Sequence, residues 1–577
     1  MRTLKQIKFL QNQVKTDFQT PGWVLFWGAL VGVFAGTATV LYRTAVIWGN
    51  NLIWGEEGAN LEQSMVQLFF PAIGGLLVGL ILYKFLRATP DHGVPSVIHA
   101  VQTNRIQVPW RVSVPSALSV IVLASGGSAG PEGPAAEIGA VFGSNTGRFF
   151  KASPKTLRTL VGCGVAAAIS AVFSAPIAGV FFAVEVIFQG FALTQVPPVI
   201  MAAVTASIIA QIELGYGPAI ALTKFDFELF EFPLYVGLGI LTGIVSVAFV
   251  KWLDLISNFF KRLKTPLWLK PALGGLGVGA ISLLTPDVVG EGYTFLERTL
   301  AGEGEIVLSA LVLVFLGKIL ATGFTLGSGA PGGSFAPAMF IGGTLGGIYG
   351  ILIELIAPQV TSFSNYALLG MAGMVVGTFN APITAIMIIL QVTQMNPRVL
   401  LPLMTIVAVV HFTMSRWENV SVYTQVLKRQ GKWLPPDYDK DPLLHIPVAD
   451  VLAPAKIRFQ ESAKVDEVIE RMGDTDEAAF AVEDEEGEFR GIITLHALRG
   501  ALADPLMGRL VTLSDVIDDS LPSVSPLMSL REVIHEFENT SAEALPVFDD
   551  EGFAGLVTRE GVIGAYREAR IAMEHHA

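Results

Sequence analysis

Glu132 is an acid set among residues that carry almost no side chain. It stands in Ser125-Gly-Gly-Ser-Ala-Gly-Pro-Glu-Gly-Pro134-Ala-Ala-Glu-Ile-Gly139, otherwise mostly glycine, proline, alanine and serine. A run of this kind inside an apolar segment reads as a loop entering a helix. The first turn of such a helix presents unpaired N–H groups and the positive end of its dipole. Glycines let those amides approach an ion closely. Tight helix packing alone would explain Gly139, Gly143 and Gly147, but not an acid inside the loop.

The same pattern recurs at an offset of 203 in Ser328-Gly-Ala-Pro-Gly-Gly-Ser-Phe-Ala-Pro337-Ala-Met-Phe-Ile-Gly342. Phe173-Ser-Ala-Pro-Ile177 and Phe379-Asn-Ala-Pro-Ile383 form a second pair, at an offset of 206. Two homologous halves are the reading. Paired Gly/Pro interruptions at matching places in two membrane halves point to a transport site built from broken helices.

The elements that must position these residues are apolar. The 577 residues are 52% hydrophobic and 15% charged, against roughly 25% charged in a soluble domain. Mean hydropathy is +0.56. Apolar segments such as Gly22–Trp48, Leu160–Val186, Leu234–Val250 and Leu368–Leu390 read as membrane helices, several long enough to cross roughly 30 Å of hydrocarbon. An ordinary soluble or disordered chain is excluded, and the single cysteine, Cys163, excludes a disulfide framework. Eight histidines include no metal-ligand cluster, so no cofactor is expected.

Charge divides the chain near residue 440. From Asp441 onward there are 28 acidic and 11 basic residues, a net of −17; the first 440 carry a net of +5. Neither part has a concentrated basic face, which argues against nucleic acid as a partner. Basic clusters at Arg2–Lys15, Arg148–Arg158 and Lys261–Lys264 mark the cytoplasmic side. The expectation is a multi-pass protein of the cell (inner or plasma) membrane with its N-terminus and acidic C-terminal domain in the cytoplasm.

With those residues in hand, the chain resembles the CLC chloride channels and chloride/proton antiporters. Gly130-Pro-Glu-Gly-Pro134 is similar to the family's G-[KR]-E-G-P signature. Gly317-Lys through Thr322, Thr325 and Gly327-Ser-Gly329, followed by Gly333-Ser-Phe335-Ala-Pro337, resembles its second-half signature. Asp91-His-Gly-Val-Pro95, Gly290-Glu-Gly-Tyr293 and Ser421-Val-Tyr423 complete the order. The resemblance implies an α-helical polytopic membrane fold, a CLC-type inverted repeat of tilted and broken helices. It implies a homodimer in the lipid bilayer with one chloride pathway in each subunit. The anion would lie among His92, Gly93, Gly333, Ser334, Phe335 and Tyr423, with Gly130, Pro131 and Gly133 as loop backbone and Glu132 as the gate. The domains would be a cytoplasmic segment 1–20, a transport domain 21–430 with halves at about 21–215 and 232–430, a linker 431–446 and a cytoplasmic module 447–577.

Three positions depart from the family pattern. His92 replaces a serine, so an imidazole that can donate one N–H or carry positive charge stands at the central site. This predicts a pH dependence beyond that of Glu132. Pro131 replaces a basic residue, which makes the external field less positive. Val186 occupies the place of the antiporters' internal proton acceptor, with Glu185 one position earlier and Gln391 as its second-half counterpart. Valine cannot carry a proton, which favours channel-like passive conduction over chloride/proton antiport, the alternative. A divalent-cation channel would need carboxylate or carbonyl ligands along its pore, and a non-transporting sensor would not need two matched broken-helix motifs.

The C-terminal part repeats at an offset of 65: Asp450/Asp515, Glu467/Glu532, Asp484/Asp549 and Gly487/Gly552 pair. Each unit, about 447–503 and 512–570, reads as a strand, an acidic turn, a second strand and a helix. This looks like a tandem CBS pair of α+β fold. Where many such pairs place a nucleotide-binding aspartate three residues after a threonine, this chain has Ala497 and Gly561, so adenine nucleotide is not an expected ligand.

Overall fold

A computed structural model describes residues 21–577, except 56–66, 87–92, 104–107, 191, 216–224, 226, 302–306, 358–361, 417–420, 435–442, 444–445, 456, 473–478, 495–497, 499–509, 518–520, 541, 550–551 and 577. His92 and Ala497 lie outside the described residues, as does the segment 1–20. The chain forms two compact units that divide between Pro436 and Asp437.

The first unit is helical. Its helices are α1 (Pro21–Trp54), α2 (Phe70–Leu86), α3 (Val94–Gln102), α4 (Ser113–Ala124), α5 (Glu132–Phe149), α6 (Pro154–Phe173), α7 (Pro176–Phe182), α8 (Val196–Leu214) and α9 (Phe232–Arg262). There follow α10 (Lys270–Ser282), α11 (Tyr293–Ala301), α12 (Leu308–Gly327), α13 (Phe335–Ile356), α14 (Phe363–Phe379), α15 (Pro382–Val392), α16 (Leu400–Ser415) and α17 (Val422–Arg429). Seven of the described helical stretches are long and apolar enough to cross a membrane.

Helix α6 shows why. Ser153 accepts a hydrogen bond from the Thr156 amide at its start, Pro154 holds the first position, and Ser174 ends it in the left-handed conformation. Its core residues, from Thr159 to Phe173, are buried all round, the signature of a helix at the centre of a bundle.

The two halves repeat this geometry. Ser174 and Asn380 both turn left-handed, at φ 52° and 54°, just before Pro176 and Pro382 start new helices. The apolar runs Leu160–Val186 and Leu368–Leu390 are therefore each broken in two. Hydropathy cannot show such a break, because Ser-Ala-Pro and Asn-Ala-Pro stop a helix without interrupting its apolar character. A Cβ at Gly139 would run into the Gly164 carbonyl of α6, and one at Gly342 into the Gly370 carbonyl of α14. Gly143 meets Leu160 as Gly346 meets Tyr366. Contact of this kind holds helices in lipid, where dispersion and close backbone approach replace the hydrophobic drive.

The second unit contains β1 (Arg458–Gln460), α18 (Val465–Met472), β2 (Ala479–Glu483), β3 (Phe489–Thr494), α19 (Leu530–Asn539), β4 (Ala544–Asp549), β5 (Gly552–Thr558) and α20 (Arg559–His576). β1 runs parallel to β2, and β2–β3 and β4–β5 are antiparallel hairpins, each with one register irregularity. Phe480, Val482 and Ile493 fill one apolar core, and Leu545, Val547 and Val557 another. The Asp484 carboxylate closes the first hairpin by accepting the amides of Glu488 at 2.8 Å and Glu486 at 3.0 Å, with Arg490 alongside. These donors hold it below the usual carboxylate range.

Candidate anion pathway

The two glycine-rich loops cross in the middle of the helical unit. Gly130 donates its amide to the Gly333 carbonyl at 2.8 Å, and Gly333 donates to the Gly130 carbonyl at 2.7 Å. Gly126 and Gly329 bend the loops at matching positive φ of 94° and 91°. Added side chains would fail at the crossing: a Cβ on Gly333 would lie 2.9 Å from the Gly130 oxygen and from the Gly133 nitrogen. One expectation is corrected here. The N–H groups of Gly130 and Gly333 are each taken by the other's carbonyl, so the crossing is a brace and the donors that meet a negative charge begin further along.

Those donors belong to α13. Its first turn starts at Ser334, and the Ala336 amide points at the Glu132 Oε2, 3.4 Å away. The other carboxylate oxygen of Glu132 accepts the Tyr293 hydroxyl at 2.6 Å. Glu132 is 1% exposed. A carboxylate thus occupies the N-terminus of α13 in the manner of a bound anion. Pro131 contributes no N–H and sits helically just before it.

On the far side of the crossing lies a cavity of about 500 Å³. Gly93, Ser116, Gly133, Gly333, Ser334 and Tyr423 line it, and Lys261, Lys270 and Arg429 also border it. Arg429 is held by Asp254 at 3.2 Å and by the Ser257 hydroxyl at 2.8 Å. Cations bordering a low-dielectric cleft raise the local concentration of anions. The Phe335 ring stacks on Phe379 with centroids 4.8 Å apart, and Phe379 packs on Tyr423 at 5.3 Å. Phe173 and Phe182 complete an apolar collar around Phe335.

The Gly93 amide also has a partner, the carboxylate of Glu137 at 2.6 Å. Val186 is buried in the apolar core at 4% exposure. Glu185 caps α15 across the repeat boundary, accepting the amides of Ile383 and Thr384 at 2.8 and 2.7 Å and the Thr384 hydroxyl at 2.6 Å. Gln391 answers from the other half by donating to the Ser174 carbonyl at 3.0 Å.

Sequence reasoning missed two participants. Tyr293 stands in a recognised motif, but nothing local says that its hydroxyl reaches a residue 161 positions away. Lys318 is fully buried and donates to the carbonyls of Val288 and Gly290, fixing the loop that leads to Tyr293. The lysine after Gly317 was the available signal.

The voltage gated chloride channel family matches residues 74–415, and CBS domains match 448–504 and 513–568. A ClcB-like chloride channel protein of Ralstonia nicotianae is 34% identical over 417 residues, covering 69% of this chain and 95% of its own. The H⁺/Cl⁻ exchange transporter ClcA of Salmonella agona is 28% identical over 418 residues, covering 70% of this chain and 87% of its own. Among solved structures, a slow cyanobacterial Cl⁻/H⁺ antiporter superposes with a TM-score of 0.63 at 27% identity, over 70% of this chain and 97% of that one. The matched span takes in both crossing loops, the Glu132 carboxylate and the Tyr293 loop, and the chain belongs to the voltage gated chloride channel (CLC) family of membrane chloride transport proteins, with two CBS domains at its C-terminal end.

Proposed function

We propose that chloride passes through each subunit between the cavity lined by Ser334 and Tyr423 and the opposite face, and that Glu132 gates the passage. The observation that carries this is the Glu132 carboxylate lying at the N-terminus of α13, where it takes the Ala336 amide that a chloride ion would otherwise use. When ionised it excludes the anion; when protonated it loses its charge and gives way. External acid therefore opens the pathway.

Passive, channel-like conduction is the reading adopted. Val186 offers no proton site, and Glu185 is engaged by three donors at a helix end. The second reading, proton-coupled exchange, draws on the likeness to the ClcA exchanger and to the cyanobacterial antiporter. In this proposal the protein works as a homodimer with two separate pathways, its CBS pair in the cytoplasm. The test is chloride efflux from proteoliposomes with simultaneous proton recording under a chloride gradient. Chloride moving without protons supports conduction, and uphill proton movement establishes exchange. In Glu132→Gln, flux that keeps its full dependence on external pH removes Glu132 from the gate.

A further inference from the structure

Glu137 is a second buried acid, five residues after Glu132 on α5, and nothing in the passage described above uses it. It is 0% exposed. Five residues of helix place it about 7.5 Å beyond Glu132 along the axis, toward the end of α5 that leads into Lys151 and Lys155. Its Oε1 accepts the Gly93 amide at 2.6 Å and the Ser96 hydroxyl at 3.2 Å, and its Oε2 accepts the Ser116 hydroxyl. Gly93 and Ser116 both line the cavity.

The arrangement parallels that of the gate. Glu132 takes an amide at the N-terminus of α13; Glu137 takes the Gly93 amide at the N-terminus of α3, which has nine residues. Each carboxylate is tethered to α5 and occupies donors that border the same anion pathway. A structural acid in such a place would ordinarily be matched by a buried cation, because an isolated ionised carboxylate is costly in a low-dielectric interior. The hydrogen bonds to Glu137 come instead from neutral donors, among the described residues.

The charged and titratable groups on the helices packed against α5 have other contacts or lie elsewhere on their helices. Arg43 of α1 donates to the Val172 carbonyl at 2.5 Å, and Tyr42 of α1 meets the Ser119 hydroxyl at 2.7 Å. His99 of α3 faces the Lys432 carbonyl at 3.1 Å. On α6, Lys155 and Arg158 lie in the first turns and Cys163 is buried in the apolar core; on α13, Tyr349 donates to the Leu234 carbonyl and Glu354 lies in the last turn. Arg111, in the short 3-10 turn Trp110–Val112 that also packs on α5, is exposed.

We propose that Glu137 is a second protonatable carboxylate of the pathway, competing with chloride for the Gly93 amide and the Ser96 and Ser116 hydroxyls. A proton arriving through the cavity binds a carboxylate oxygen of Glu137. With the proton on Oε2, the new O–H donates to the Ser116 oxygen, whose hydroxyl turns away. Oε1 loses its charge and accepts more weakly, so the Gly93 N–H and the Ser96 O–H can exchange it for an anion in the cavity. The inference rests on the reading that chloride occupies this cavity, and it gives the cytoplasmic side its own acid response, separate from that of Glu132.

Chloride binding to the full-length protein, measured by calorimetry in buffers of different ionisation enthalpy, reports the protons taken up per chloride. The measurement runs from about pH 5 to about pH 8, where carboxylates and imidazoles of perturbed environment titrate. The background is Glu132→Gln with His92→Ser, which removes the gate and the neighbouring imidazole. Proton uptake should persist in that background and vanish when Glu137→Gln is added. Chloride affinity at the alkaline end should rise on the order of tenfold with Glu137→Gln, or about 1.4 kcal/mol. Chloride that binds the background without any proton uptake, or uptake unchanged by Glu137→Gln, overturns the proposal. If Glu137→Gln does not fold, Ser116→Ala keeps the acid and removes one donor. It should displace the pH of maximal uptake, and an unmoved maximum overturns the proposal equally. The gate is judged separately, by comparing wild type with Glu132→Gln alone.

Discussion

Removing the Tyr293 hydroxyl should loosen the gate without touching the carboxylate itself. In Tyr293→Phe the ring and its packing remain, and Glu132 loses the 2.6 Å hydrogen bond on Oε1. That length is in the short range of bonds between a hydroxyl and an ionised oxygen. Hydrogen bonds to charged groups contribute about 1.5–3 kcal/mol net, so the closed pose should weaken by about ten- to 150-fold relative to the open one. The weaker Ala336 contact at 3.4 Å does not replace it. On the proposed gating, in which the ionised carboxylate and chloride compete for one place, the apparent chloride affinity should tighten in proportion to the closed population removed. The assay is the initial rate of chloride efflux from proteoliposomes near neutral pH, with chloride affinity from calorimetry on the same variant. Both should increase on the order of tenfold. Unchanged flux and affinity in a folded variant would refute the argument, because the bond would then not hold the gate closed.

The other expectations are simpler. Gly333→Ala places a methyl against the Gly130 carbonyl and the Gly133 amide, backbone atoms that cannot swing aside; chloride flux should fall by at least tenfold, or the protein should not be recovered folded, and near-normal flux would mean that the crossing is not a rigid brace. Asp484→Ala should make the second unit less stable near neutral pH. Because the native carboxylate is held below its unfolded range, that contribution is present above the unfolded pKa and disappears as acid protonates the folded group, so the difference in melting temperature between wild type and variant should shrink toward low pH. Calorimetry with ATP on the full-length protein should show no micromolar binding: at the second threonine the Gly561 amide donates to the Thr558 hydroxyl at 3.0 Å and no carboxylate is present three residues on.

Much of this was legible in the residues. The Glu132 loop and its partner at an offset of 203 announced two helix starts, and helices do begin at Glu132 and Phe335. The strand and turn pattern around Asp484 and Asp549 likewise corresponds to hairpins. What remained hidden was the direction in which polar groups point. Gly130 and Gly333 have the composition of anion-presenting residues, yet each donates its N–H to the other's carbonyl across the two halves. Glu137 lies in the same string as Glu132, but only the approach of α3 and α4 turns it toward Gly93 and Ser116. Glu185 sits beside the expected proton position and instead serves as a helix cap for the opposite half. Such facts depend on contacts between residues far apart in sequence, which periodicity and composition do not encode.

The brace between Gly130 and Gly333 also bears on the order in which the proposed passage can be completed during synthesis. Its two hydrogen bonds join residues 203 positions apart, so the first half alone carries Glu132 into the membrane without the amides that would receive either it or chloride. A ribosome that has inserted only α1 to α8 has made a bundle with an acid and no pathway. On the proposed reading the passage is completed only when the second glycine loop arrives, and by then Glu132, the residue proposed to close it, is already in place.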